Sequence, residues 1–166
     1  MRLFFIFFIL GLGLSNTEAQ GLDKSMFTIN GLDLFSPKDS VLKVLGQPEK
    51  ISFPDYECGF LSSFMEPEKT ESLHFKNLVF SGKGQEKFVA EFIPLNEDWD
   101  IRYGDKEVHC ELSFECLTEI FGEEIIWQFH ESYDGFLVVR FDNADDGLSF
   151  HWSKGKLIKL VYWSPC

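Results

Sequence analysis

Two short stretches of the sequence carry enough polar side chains to suggest chemistry. His130–Asp134 combines imidazole, hydroxyl and carboxylate groups, a set that can bind a metal ion or transfer a proton. Asp142–Gly147 resembles the start of a calcium loop. However, Ala144 stands at the third loop position, where calcium needs an oxygen ligand, and Ser153 at the twelfth, where it needs a glutamate. We therefore interpret both stretches as solvated loops and predict no metal and no cofactor.

The common sequence motifs of nucleophilic, phosphoryl-transfer and zinc catalysis do not occur in the chain. There is no nucleophile elbow, no phosphate-binding glycine loop and no His-Glu-x-x-His pattern. We therefore predict that the protein is not an enzyme. One alternative stays open: a small secreted hydrolase or ligand-binding protein could use His130, His151 and nearby carboxylates in a pocket between two structural units.

Composition and charge define the class of protein. The chain has 166 residues, of which 45% are hydrophobic and 25% charged, a balance typical of a folded globular protein. Its 27 acidic residues outnumber its 15 basic ones, which gives a net charge of −12. Nucleic acids and anionic membranes bind clustered Lys and Arg, so neither is an expected partner. The acidic balance instead favours a protein partner with a basic surface.

The first residues of the chain have the pattern of a secretory signal peptide. Arg2 is their only basic residue, and Leu3–Leu14 is an apolar core too short for a typical membrane span. We expect cleavage after Ala19, so that residues 1–19 are the signal peptide and the exported part has no membrane span. Retention of this segment as a short anchor is the alternative. The predicted location is periplasmic or extracellular.

All four cysteines lie in the predicted exported part, where oxidising conditions favour disulfide formation. The candidates are Cys58, Cys110, Cys116 and Cys166. Four cysteines allow three sets of pairings, and the sequence does not choose among them. One set joins Cys110 to Cys116 locally and leaves Cys58 to pair with Cys166.

An internal repeat organises the exported chain. The shift that places Val41 on Leu117 also places Gly46 on Gly122, so both halves contain a short amphipathic helix that ends at a glycine. We expect these helices over residues 38–45 and 114–121. Each half is predicted to begin with a short strand or hairpin, near residues 27–34 and 101–109. After the helices we expect strands near residues 60–64, 72–80, 87–93, 136–141, 148–152 and 157–163. The predicted fold class is α+β, with two tandem helix-plus-antiparallel-sheet units packed side by side over residues 20–95 and 96–166.

Strand alternation predicts which side chains face outward from the sheets. In the strand near 136–141 the odd-numbered side chains are all apolar and are expected to face the core. In the last strand Ile158, Leu160 and Tyr162 form the expected inward set. The remaining positions of these and the neighbouring strands predict an outer face that contains Phe60, His74, Phe136, Arg140, His151, Lys159 and Trp163.

The helix of the first half, with the residues after it, resembles a known family. The run Val41–Pro48, VLKVLGQP, resembles the helix and Gly-x-Pro signature of the β-lactamase inhibitory protein family, and of small outer-membrane assembly lipoproteins that share its unit. The resemblance implies a secreted, disulfide-braced chain of two helix-plus-sheet units whose concave sheet surface holds a partner enzyme. The second half departs from the signature, because no proline follows Gly122.

These features together predict an exported, non-enzymatic module that binds a protein partner through an exposed sheet face. Aromatic, Arg and His side chains on one face are the composition of a protein-binding surface. Packing of Phe136 and Trp163 against the other unit or a covering loop is the alternative. The expected role is that of an inhibitor, an immunity-type protein or an envelope accessory protein.

Overall fold

The computed structural model describes residues 21–56, 59, 61, 69–109, 114–122, 135–154 and 156–166. Antiparallel sheets dominate this part of the chain, which contains twelve strands and two α-helices of eight residues each. The predicted α+β fold of two tandem helix-plus-sheet units is therefore wrong. The physical reason is that the two helices of the described part are only eight residues long, and both halves of the chain build both sheets together.

The elements follow one another in the same general order in the two halves of the chain. The first half contains a short 3₁₀ helix (Lys24–Met26), β1 (Phe27–Ile29), β2 (Leu32–Asp33), β3 (Phe35–Ser36), α1 (Lys38–Leu45), β4 (Lys50–Ser52), β5 (Glu71–Phe75), β6 (Leu78–Lys83) and β7 (Lys87–Pro94). The second half contains β8 (Ile101–Tyr103), β9 (Lys106–Glu107), α2 (Phe114–Phe121), β10 (Gly135–Arg140), β11 (Gly147–Ser153) and β12 (Lys156–Trp163).

Several predicted elements differ from the observed ones in detail. Both helices occupy the predicted residues. The predicted strand 72–80 is instead two strands, β5 and β6, joined by a turn in which Lys76 has a φ of 54°. The stretches 27–34 and 101–109, each predicted as a short strand or hairpin, contain the hairpins β1–β2 and β8–β9. Of the predicted strand 60–64, Leu61 lies in a turn, and the other positions lie outside the described residues.

Two sheets organise the described chain, and each contains strands from both halves. The larger sheet has eight strands in the order β10-β11-β12-β7-β6-β5-β4, with β3 also paired to β7. Its central pair is β12 with β7, where Leu160 lies opposite Ile93. The smaller sheet has the order β2-β1-β8-β9, and its central pair sets Thr28 opposite Arg102. Two backbone ladders therefore cross the predicted boundary at residues 95 and 96, and the division into units stays a prediction.

Proline and glycine set the limits of the helices. Pro37 precedes α1 with a φ of −61°, which suits a helix start, and its carbonyl accepts a hydrogen bond from the Val41 amide at 3.1 Å. Gly46 ends α1 with a φ of 82°, and Gly122 ends α2 with a φ of 89°. Side chains rarely adopt such positive φ values, so these glycines stop the helices at the residues that the sequence indicated.

A single apolar core joins the two sheets and both helices. The Phe121 ring of α2 lies 6.1 Å from Phe27 and 5.1 Å from Tyr103, both in the smaller sheet. On its other side it meets Phe150 of the larger sheet edge-on, at 5.4 Å. Helix α1 also contacts the larger sheet, because Lys38 forms an ion pair with Glu71 of β5. The helices and the smaller sheet thus lie on one face of the eight-stranded sheet, and the opposite face is called the outer face below.

None of the helices in the described part of the chain is long and apolar enough to cross a membrane.

Candidate partner-binding face

The register of the larger sheet defines which side chains share its outer face. Residues directly opposite each other in an antiparallel pair point to the same face. Phe136 lies opposite His151, His151 lies opposite Lys159, and Lys159 lies opposite Pro94. These four residues form a row across β10, β11, β12 and β7, called the aromatic row below. The structure therefore brings three of the predicted site residues together on neighbouring strands.

The other predicted site residues occupy two further rows of the same face. One row links β10 to the far edge of the sheet through Val138, Ser149, Val161, Phe92, Val79, His74 and Lys50. The other row sets Arg140, Gly147 and Trp163 side by side. His74 thus shares the outer face but lies several strands away from the aromatic row. Phe60 lies outside the described residues.

Ring and cation contacts hold the aromatic row in place. The Phe136 ring stacks on the His151 imidazole, with centroids 5.5 Å apart and planes 26° from parallel, and Phe136 is still 63% exposed. The His151 Nε2 lies 3.1 Å from the Ser149 hydroxyl. The Lys159 ammonium lies 4.8 Å from the centre of the Phe92 ring. The row therefore presents an exposed aromatic surface beside a positioned cation.

The electrostatics of the face differ from those of the whole chain. Partial burial, and secondarily the charge of Lys159, lower the pKa of His151 from its usual 6.5, so the imidazole is neutral at neutral pH. The charged side chains in the three rows are Lys50, Arg140 and Lys159, all of them basic. The net charge of −12 is therefore not carried by these rows.

A hydrogen-bonded polar network lies at the β4–β7 end of the outer face. Glu91 accepts hydrogen bonds from the hydroxyls of Tyr56 and Ser81, and the Ser81 hydroxyl lies 2.6 Å from that of Ser72. Burial, and then the hydrogen bond to Glu91, raise the pKa of Tyr56 to about 12. Because Tyr56 follows β4 while Glu91 belongs to β7, the network ties the segment after β4 to the sheet.

Sequence reasoning did not find this network, although one signal was present. Ser72 and Ser81 stand in strands rich in apolar residues, and both are buried. A buried hydroxyl needs a hydrogen-bond partner, so two such residues indicate a shared polar contact. The pairing itself depends on the register of β5 and β6, which sets Ser72 directly opposite Ser81.

A second hydroxyl contact lies beside this network. The Ser52 hydroxyl is 2.7 Å from the Nε2 of His74, between β4 and β5. A serine bonded to a histidine is part of a nucleophilic site only when a third group orients the imidazole. Within the described residues the His74 imidazole has no second hydrogen-bond partner, so this contact alone assigns no catalysis.

One predicted side-chain orientation is wrong. Ile158 was expected to face the core with Leu160 and Tyr162, but it is 42% exposed, while Leu157 is fully buried. A register shift between His151 and Trp152 explains the difference, because it adds one residue to β12 at this point. Such a β-bulge interrupts the alternation of side chains, and periodicity alone does not reveal it.

One open cavity among the described residues does not match the alternative hypothesis of a pocket built on His130 and His151. It has a volume of about 580 Å³ and lies at the start of the second half of the chain. Its lining consists of Asn96, Glu97, Trp99, Asp100, Arg102, Glu107 and His109. His151 lies on the outer face, and His130 lies outside the described residues. Within the described ranges, no group of three or more His, Cys, Asp or Glu side chains is arranged to hold a metal ion.

Two of the four candidate disulfide cysteines, Cys116 and Cys166, lie in the described part of the chain. Cys166 forms a disulfide, and Cys116 lies at the exposed surface of α2. Cys58 and Cys110 lie outside the described residues, so the predicted pairings stay predictions. Gly59 packs against the C-terminus: a Cβ at this position would lie 2.5 Å from the Ser164 hydroxyl oxygen, and the φ of Gly59 is 80°.

Comparison of the chain with known protein families, with curated proteins and with solved structures gave no match.

Proposed function

We propose that this chain is an exported, non-enzymatic protein-binding module that uses the outer face of its larger sheet. The observation that carries the proposal is the aromatic row Phe136-His151-Lys159-Pro94, which runs from a strand of the second half to a strand of the first. Exposed aromatic side chains such as Phe136 are enriched at the centres of protein interfaces, and polar or charged side chains such as Lys159 are typical of their rims. The proposed location is periplasmic or extracellular.

The charges of the chain affect binding in two ways, one at long range and one at the contact face. The net charge of −12 attracts a partner with a basic surface from a distance and raises the association rate. Lys159 and Arg140, in contrast, lie on the contact face itself and favour carboxylates directly opposite them. We therefore propose a partner that is basic overall and carries acidic or aromatic groups where it meets the row.

The role within this class is that of an inhibitor, an immunity-type protein or an envelope accessory protein. The resemblance of Val41–Pro48 to the β-lactamase inhibitory protein family favours the first of these, because members of that family hold a partner against a sheet surface. The two helix-plus-sheet units that the resemblance also implies are not the architecture of the described chain, so the Val41–Pro48 motif alone supports this role.

Affinity capture with two matched variants tests the proposal. The face variant combines Phe136→Ser with Lys159→Glu, and the control is Val44→Ser on α1, where the side chain is 48% exposed. Wild type and control are expected to capture the same protein from an extract of the compartment in which this chain resides. With the captured protein purified, the face variant is expected to bind about tenfold more weakly or worse, a loss of roughly 1.4 kcal/mol. Equal affinities of the face variant and the wild type would refute the proposed face.

A hydrolase or ligand-binding protein with a pocket between the units is the alternative function. It depends on His130 and His151 sharing that pocket, and His151 instead stacks with Phe136 on the outer face. Its test is a titration of the purified protein with divalent metals. Loss of metal binding or hydrolysis in His151→Ala would favour the alternative over the binding module.

A further inference from the structure

The backbone at the outer edge of β10 already pairs with a short extended segment. The Leu22 amide donates to the Arg140 carbonyl at 2.9 Å, and the Asp142 amide donates to the Leu22 carbonyl at 2.9 Å. These two bonds form an isolated parallel bridge between Leu22 and Phe141. The backbone groups of Arg140 and Asp142 therefore point away from β11, towards the edge.

The same edge continues along β10. Alternate residues of a strand direct their N–H and C=O groups to the same side, so Phe136 and Val138 direct theirs to the edge that Leu22 occupies beyond Arg140. Among the described residues, Leu22 is the only one that bridges this edge. The backbone donors and acceptors of Phe136 and Val138 thus lie in line with an existing ladder.

The contact at Gly21 demonstrates how closely extended backbone packs against this edge. A Cβ on Gly21 would lie 2.7 Å from the Asp142 nitrogen and 2.8 Å from the Arg140 oxygen, so only glycine fits. The neighbouring Leu22 side chain is fully buried in the core. An added strand at the β10 edge is therefore continuous with an arrangement that the fold itself contains.

The edge of β10 differs from the other sheet edges of the described chain. β2 and β9 have two residues each, and β4 has three. β4 also carries Lys50 and is flanked by Pro48 and Pro54, features that oppose strand addition. β10 has six residues and presents the exposed Phe136 beside its edge. Among the edge strands of the described ranges it is the longest, and it carries neither lysine nor proline.

We propose that the partner adds an extended strand to the edge of β10, alongside Phe136 and Val138. The inference rests on the proposed function: the outer face supplies side-chain contacts and the edge supplies backbone hydrogen bonds to the same partner. The added strand carries β-branched apolar residues, because Phe136, Leu137 and Val138 are its neighbours in the sheet. Basic residues flank it, since Asp142 is exposed two residues beyond Arg140 and the chain has a net charge of −12.

Amide hydrogen exchange with a designed peptide tests the proposal. The probe is a short capped peptide of alternating Val and Thr with a pair of Lys residues at each end, added in excess to the isotope-labelled protein. We expect the exchange of the Phe136 and Val138 amides to slow about tenfold or more when the peptide binds. An analogue with Glu pairs at its ends is expected to protect them less.

Two controls separate backbone pairing from unspecific association. An otherwise identical peptide in which every backbone nitrogen is N-methylated cannot donate ladder hydrogen bonds from either of its edges and is expected to give no protection. The variant Val138→Pro removes the N–H that faces the edge, a change that edge strands tolerate, and is expected to abolish the protection. If Val138→Pro fails to fold, the N-methylated peptide still decides the question. Equal protection by both peptides, or no protection by either, would overturn the proposal.

The same variants distinguish failure of this inference from failure of the proposed function. A partner that is lost by the Phe136→Ser, Lys159→Glu variant but bound at full strength by a folded Val138→Pro protein would contradict strand addition and leave the binding face standing. A partner that binds both variants as tightly as it binds the wild type would contradict both the strand addition and the proposed binding face.

Discussion

His151 connects the aromatic and the charged side chains of the aromatic row. It stacks on Phe136, lies near the Ser149 hydroxyl and is directly opposite Lys159, which is a like charge whenever the imidazole is protonated. The lowered pKa of His151 has two causes, burial first and Lys159 second. Since the folded state resists protonation of this group, folding stability falls as the pH drops below the unfolded value of 6.5.

Replacement of Lys159 is expected to move the titration of His151. In Lys159→Gln the Coulombic cause is removed and burial remains, so the pKa of His151 is expected to rise while staying below 6.5. An NMR titration of the imidazole protons measures this directly. Lys156→Gln, on the same strand but not opposite His151, is the matched control and is expected to leave the titration unchanged. A pKa for His151 that is identical in wild type and Lys159→Gln would contradict the assigned geometry.

At the scale of elements, the ends of the helices are determined by single residues, and the end of α1 is the clearest case. Gly46 has a φ of 82° and a ψ of −155°, a combination that is essentially restricted to glycine. A Cβ there would meet no atom within 4 Å, so the cost of a substitution lies in the backbone and not in packing.

Gly46→Ala is accordingly expected to lower the free energy of unfolding by about 1–3 kcal/mol. Urea denaturation followed by circular dichroism measures the change. Lys43→Ala, at an exposed position within the same helix, is the control and is expected to remain within about 0.5 kcal/mol of wild type. A Gly46→Ala protein as stable as the control would show that the helix does not end in the conformation described.

Elements whose signals are local were predictable from the sequence, and elements whose shape depends on a distant partner were not. The helix at Lys38–Leu45 has its apolar face, its proline and its glycine within one short stretch. The bulge at Ile158 arises from pairing between β11 and β12, and the turn at Lys76 splits what alternation alone indicated to be one strand. The polar contact of Ser81 with Glu91 likewise depends on register between strands.

The sequence predicts the side chains of the candidate face wherever the side chains of a strand alternate regularly between its two faces. Phe136, Arg140 and His151 were assigned outward from the sequence, and the register of β10 and β11 sets them on one face. Their role in binding stays a prediction. What the sequence did not reveal is that β12 pairs with β7, since that contact joins segments far apart in the chain and has no local signal.

At the scale of the whole molecule, the two shared sheets make the halves depend on each other. The central pairs β7–β12 and β1–β8 both join strands from opposite sides of Leu95. Separation of the halves would expose one strand edge in each sheet, because β12 would lose β7 and β8 would lose β1. It would also expose core side chains such as Phe121, which α2 places between the two sheets.

The isolated segment 96–166 is therefore expected not to fold. Urea titration followed by tryptophan fluorescence and circular dichroism should give one cooperative transition for the chain of residues 20–166 and none for the segment. Mixing the segments 20–95 and 96–166 tests whether the shared ladders reassemble. A sigmoidal transition of the isolated segment with native-like spectra would contradict the dependence of the halves on each other.

The most direct test of the central claim, that the outer face binds a protein partner, is site-specific photo-crosslinking in the native compartment. A photoreactive phenylalanine analogue replaces Phe136 in the aromatic row, and in a second protein it replaces the similarly exposed Val44 on α1. We expect a discrete crosslinked species from position 136 that is absent from position 44. Crosslinks of equal yield from both positions, or from position 44 alone, would contradict the claim.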